Sequence, residues 1–189
     1  MRLTPNRRIV RHILPLVAAA LAPTSGAVAQ PKPAASPTAQ ATLLGQYGDW
    51  GAYTATPGGQ KVCFALAKPT SSVDNPPNRR TAANVVYLFI STRPAEKVSN
   101  EVSVLVTGYA FKVNSEASVA VGGANFAMYT QNDGAWVKNA AEESKLIETM
   151  RKGADVVIKA TTSRGTQTTD TFSLKGIAQA VDRAAQECK

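Results

Sequence analysis

Two carboxylates stand next to tryptophans in this chain: Asp49 beside Trp50, and Asp133 three residues before Trp136. Two acids are what glycoside hydrolysis needs, one to protonate the leaving oxygen and one to attack or to activate water. Without the acids, Trp50 and Trp136 would still make a stacking platform for a sugar or another small ligand. The opposing reading is architectural. Each acid adjoins a glycine, Gly48 or Gly134, in a turn-like context, and both indoles are large enough to be core. The architectural reading is preferred.

Other chemistries lack their parts. The only histidine is His12, near the chain start, so a Ser-His-Asp triad has no base, and neither G-x-S-x-G nor S-x-x-K occurs. Zinc would be left without its usual ligands, and no calcium loop of the D-x-D-x-D-G kind is present. Glu142 and Glu143 read as a helix start. The stretch "GTQTTDTFSLKG", 165–176, gathers five hydroxyls around Asp170. No base is there to activate them, and threonine suits a strand with one face in water. The expectation is therefore no catalytic residue, no cofactor and no metal. The loop 69–85, stiffened by Pro76 and Pro77 and charged by Arg79 and Arg80, is the best candidate for a partner-contact surface, with a solvated connection between two strands as the opposing, favoured reading. It is too short and too poor in aromatics for a nucleic-acid site.

The elements that must position these residues are mostly strands. "NVVYLFIST" is apolar on both faces, as a strand buried on two sides would be, while "EVSVLVTGY" sets Val102, Val104 and Val106 against Glu101, Ser103 and Leu105. Gly122 and Gly123 read as a two-residue hairpin turn between Val119–Val121 and Phe126–Met128–Thr130. "GDWGAYTAT" and "QKVCFALAK" are two more strands, joined at Pro57-Gly58-Gly59. A further pair runs through Val156 and Ile158 and back through Thr168 to Phe172, with Thr161 and Thr162 opposite Thr168 and Thr169. This spacing points to a β-sandwich or barrel. Two helices complete the pattern. Asn139 caps the first in a capping box with Glu142, its apolar side is Leu146, Ile147 and Met150, and Gly153 stops it. Ser173 caps the second, whose stripe is Leu174, Ile177, Val181, Ala184, Ala185 and Cys188.

The chain start reads as an export signal. Arg2, Arg7, Arg8 and Arg11 precede an apolar run, 13–21, too short to span a bilayer, and Ala27 and Ala29 are small enough for cleavage after Ala29. The arginine pair also fits a twin-arginine signal. Removing 1–29 takes four of the 21 basic residues and none of the 13 acids, so the formal charge falls from +8 to +4. Much of the basic character is therefore an address, which weakens a nucleic-acid reading. Residues 30–42, rich in proline and alanine, read as a disordered linker, and 43–189 as one domain. In an exported chain the two cysteines, Cys63 and Cys188, point to a disulfide, with free thiols or an interchain bond as alternatives.

Taken in order, "YGDWGAY", "VCFAL", "YLFIST" and "SRGTQTTDTFSLKGIAQAVDRAAQEC" resemble the invasion-associated locus B family of α-proteobacterial envelope proteins. The resemblance covers nearly all of 43–189, and "GDW" and "SLKG" are among its most specific parts. It implies a periplasmic or cell-surface location and an immunoglobulin-like β-sandwich. Members in blood-borne pathogens are associated with invasion of host red cells. The family has no agreed reaction, so no catalytic role carries over. The expected protein is an exported, non-enzymatic one that contacts an envelope or host protein, with no transmembrane segment after signal cleavage. A periplasmic module binding a small molecule or glycan is the alternative.

Overall fold

Valine, threonine and aromatic side chains favour the pleated, half-buried surface of a strand. In the computed structural model, which describes residues 40–189, they build eleven. These are β1 (Thr42–Tyr47), β2 (Trp50–Ala55), β3 (Val62–Ala67), β4 (Ser71–Asn75), β5 (Val86–Arg93) and β6 (Val98–Val106). After them come β7 (Glu116–Val121), β8 (Ala124–Gln131), β9 (Gly134–Val137), β10 (Asp155–Thr161) and β11 (Gln167–Ser173). The helices are α1 (Glu143–Lys152) and, at the C-terminal end, α2 (Ile177–Glu187). The expected export signal, 1–29, and residues 30–39 of the expected linker lie outside the described residues.

All eleven strands join one antiparallel ladder in the order β1-β2-β3-β5-β6-β9-β8-β7-β10-β11-β4. Only 68–70 separate β3 from β4, yet the two stand eight places apart in that order. Laid flat, eight spacings of ~4.8 Å would separate them by ~38 Å. Four Cα steps reach no more than ~15 Å. The sheet must therefore roll up on itself, and its inner face closes around one core. Trp50, Leu88, Val104, Val119, Met128, Ile158 and Phe172 meet there, with Leu146 and Met150 from α1 and Ile177 and Val181 from α2.

The expected mainly-β class with two helices is what the chain adopts. Gly122 and Gly123 both take positive φ (53° and 85°), the two-residue turn their sequence called for. Three details differ from the expectation. Across β10 and β11, Thr161 pairs with Gln167 and Ala160 with Thr168, so the threonines do not face one another. Asn139 caps a 3-10 turn, Ala140–Glu142, by accepting from the Ala141 N–H at 3.1 Å, and α1 begins after it. Ser173 caps nothing helical: its Oγ accepts from Lys175 N at 3.2 Å, and Gly176 (φ 92°) stands before α2. Chain reversal ahead of α2 needs a left-handed residue, which serine does not favour and glycine does.

Cys63 and Cys188 form a disulfide with Cα atoms 5.8 Å apart and a sequence separation of 125. It fastens the end of α2 to β3, and α2 lies across β1, β2 and β3.

Candidate functional site

The two expected tryptophan sites do not come together. Trp50 is fully buried, and its Nε1 donates to Ser173 O at 2.9 Å. Next to it, Asp49 N donates to Lys175 O at 3.0 Å. A Cβ on Gly176 would lie 1.8 Å from Tyr47 O, and one on Gly48 would lie 2.6 Å from Lys175 O. The Gly48-Asp49-Trp50 turn and the Ser173–Gly176 turn thus clasp backbone to backbone, at a separation only glycine permits. The side chain of Asp49 makes no hydrogen bond among the described residues and is exposed. Asp133 is likewise exposed, at the β8–β9 turn, where its carbonyl accepts from Val106 N at 2.9 Å. Asp49→Asn and Asp133→Asn are therefore expected to shift stability by no more than about 0.5 kcal/mol in thermal melts.

Trp136 belongs to a different surface. Side chains alternate along a strand, so the chain neighbours of core residues face outward. One cross-strand row runs Gly51, Leu66, Phe89, Ser103, Trp136, Tyr129, each the ladder partner of the next. Flanking it are Tyr53 with Phe64 and Tyr87 with Leu105. The rings touch one another: Tyr53 and Phe64 stack at 5.4 Å, Phe64 and Phe89 lie 5.5 Å apart, and Tyr129 stacks on Trp136 at 5.6 Å. A Cβ on Gly51 would strike the Tyr53 ring at 2.5 Å, and one on Gly134 the Trp136 ring at 2.1 Å. Both rings therefore lie flat over the glycine two positions earlier. The expectation that β5 is buried on both sides is corrected here: Val86, Leu88 and Ile90 enter the core, while Tyr87 and Phe89 remain half-buried on the outside. A repeated G-x-aromatic pattern, "GAY" at 51–53 and "GAW" at 134–136, was the available sequence signal for this face.

The 69–85 loop holds an ordered cluster. Residues 71–75 of it are β4, which pairs with β11 at the ladder's end. Its return brings Arg80 against two acids, and the guanidinium is only 9% exposed. Nη1 donates to both oxygens of Asp170, at 2.8 and 2.9 Å, and Nε donates to Asp74 Oδ1 at 2.5 Å. Ser72 Oγ donates to Asp170 Oδ1 at 2.6 Å. Burial acts to raise the Asp74 carboxyl, but the Arg80 N–H and guanidinium outweigh it and hold the group below its ordinary value. Burial pushes the deeper Asp170 up, against the opposing pull of Ser72 and Arg80. The neighbouring Tyr109 hydroxyl is buried with no hydrogen-bond partner among the described residues, and burial lifts it to about 12 despite the nearby Arg80 charge. Arg79, the other expected contact residue, is exposed and makes no ion pair among the described residues. Asp170 as the partner of Arg80 was missed in the sequence. Its trace was the alternation Thr168, Asp170, Phe172: an acid on the same face as a core phenylalanine needs a buried cation.

The acids of the arginine cluster are paired with Arg80, and on the aromatic face Lys68 Nζ sits 5.6 Å over the Tyr87 ring. In comparison with known proteins, the family model described as invasion associated locus B (IalB) protein matches residues 50–185. No curated protein and no solved structure matches the chain.

Proposed function

The chain belongs to the invasion associated locus B family, and from that premise we propose an exported, non-enzymatic envelope protein that works by contact with another protein. The outward aromatic face carries this reading. Tyr, Trp and Phe are enriched where proteins meet, because they bury large area at small cost in side-chain freedom. Here such residues form two ring groups on one face, on β2, β3 and β5 and on β9 and β8, with Ser103 and Leu105 of β6 between them, and Tyr129 is 45% exposed at the end. Their rings are held by one another and by the strands, so little order remains to be gained on binding. The family supports the envelope location, as does the expected cleavage after Ala29. Among the described residues no helix is long and apolar enough to cross a membrane.

The test is site-directed photo-crosslinking in the native envelope. A crosslinker in place of Tyr129 should give a discrete protein adduct, and one in place of Val113, 80% exposed and off that face, should not. An adduct carrying carbohydrate and no protein would move the reading to a glycan module. Equal labelling from both positions would remove the face from consideration.

A further inference from the structure

Three loops meet above the buried arginine. Residues 76–84, 108–109 and 162–166, leaving β4, β6 and β10, line a hollow of about 420 Å³. Ligand pockets run from about 300 to 1,000 Å³. The loops are tied to one another before any ligand arrives: Ser163 N donates to Ala110 O at 2.8 Å, and Lys112 N to Thr161 O at 2.9 Å. Asn84 Nδ2 donates to Thr107 O at 3.2 Å, and the Asp74 carboxylate accepts from both Arg79 N and Arg80 N.

The wall of this hollow carries Arg79, Arg80 and Arg164, with Asn78 and Asn84 among its polar groups, and no carboxylate among the described residues. Asp74 and Asp170 lie behind Arg80 and are 6% and 4% exposed, so they match its charge without entering the hollow. Arg79 and Arg164 are different. Both are exposed, and neither makes an ion pair among the described residues. Two guanidinium groups lining one concave wall repel each other, and an anion between them converts that repulsion into attraction. Each fork of N–H donors fits the paired oxygens of a carboxylate or phosphate. A concave wall lined by one sign of charge focuses the field and raises the local concentration of the counter-ion.

We propose that this hollow is a binding site for a small molecule bearing a carboxylate or phosphate, with the oxyanion seated between Arg79 and Arg164. Arg80 is a positioning residue: its ion pairs hold the floor and the loop from which Arg79 projects. The site shares no residue with the aromatic face, so it stands or falls independently of protein contact there.

Calorimetric titration of the full exported protein at low salt tests the proposal, with citrate as the carboxylate probe, inorganic phosphate as the phosphate probe and glycerol as the neutral control. Saturable binding of citrate or phosphate is expected, and whichever binds identifies the oxyanion class. Arg79→Gln/Arg164→Gln should raise that Kd at least tenfold while leaving the melting temperature of the free protein unchanged. Lys145→Gln/Lys152→Gln, which removes the same formal charge from exposed positions of α1, should leave Kd unchanged. Failure of both anions to bind, binding that survives the double arginine substitution, or an equal loss in the lysine variant overturns the site.

Discussion

Cys63→Ala/Cys188→Ala protein should melt about 10–20 °C below the oxidised wild type, given ~2–4 °C per kcal/mol for domains somewhat larger than this one. The chain-entropy relation assigns ~4.7 kcal/mol to a loop of ~100 residues, and here the sequence separation is 125. Domains are stable by only about 5–15 kcal/mol in all. Losing the bond thus removes a large share of the margin. Alanine is the appropriate replacement because Cys63 is fully buried against Ala52 and Ala184, where a hydroxyl would add its own desolvation cost. Thermal unfolding with and without reductant reads the effect. A difference below about 1 kcal/mol would mean that the unfolded chain is already compact enough to hold these positions together.

The second large effect belongs to Arg80. Arg80→Met leaves Asp74 and Asp170 buried without their cation, and breaking a buried pair from one side costs about 3–5 kcal/mol. Arg80→Met/Asp170→Asn should be less destabilised than the sum of the single changes, with a coupling of about 0.5–3 kcal/mol. The pH dependence separates this from a packing defect. The Asp170 carboxyl already lies above its ordinary value because of burial, and Arg80 opposes that rise. Without Arg80 it climbs further. An acid whose folded value exceeds its unfolded value stabilises below the unfolded value and loses that contribution as pH rises through the folded one. The stability gap between Arg80→Met and wild type should therefore narrow as the solution is acidified. A gap constant with pH would assign the loss to shape alone.

What was legible in the sequence followed local physics. The Gly122-Gly123 hairpin, the alternating valines of β6 and the apolar stripe of α2 all arise from patterns within a dozen residues. The cysteines were legible because only two were available. β4 was not, since "SSVDN" has no alternation and exists as a strand through its backbone pairing with β11, about a hundred residues away in sequence. β9 was hidden because "GAWV" is short and opens with a glycine, a residue whose reason lies in the flat Trp136 ring above it. The segments "GDW" and "SLKG" were visible as words with no meaning until the clasp joined them. Their conspicuousness is architectural. Of the proposed anion site, Arg79 was legible as a loop charge. Arg164 was not, because the sheet's roll brings its turn beside a loop some eighty residues earlier.

The bond at Cys63 also makes the domain a covalent ring with a short tail. Everything from β3 to the last turn of α2 lies inside the ring, and β1 and β2 lie outside it. A protease that cuts the exposed stretch 76–79 opens the ring but releases nothing, since both pieces remain joined through sulfur. A cut at the exposed Pro57–Gly59 turn acts on the tail instead. It severs the covalent link of the N-terminal hairpin to the rest even in oxidising surroundings, leaving that hairpin held only by non-covalent contacts: the Trp50 clasp, ladder pairing with β3 and packing under α2. Scission inside the ring therefore leaves one covalent molecule until a reductant arrives, and scission outside it leaves the segment that meets the expected linker joined to the domain by non-covalent contacts only.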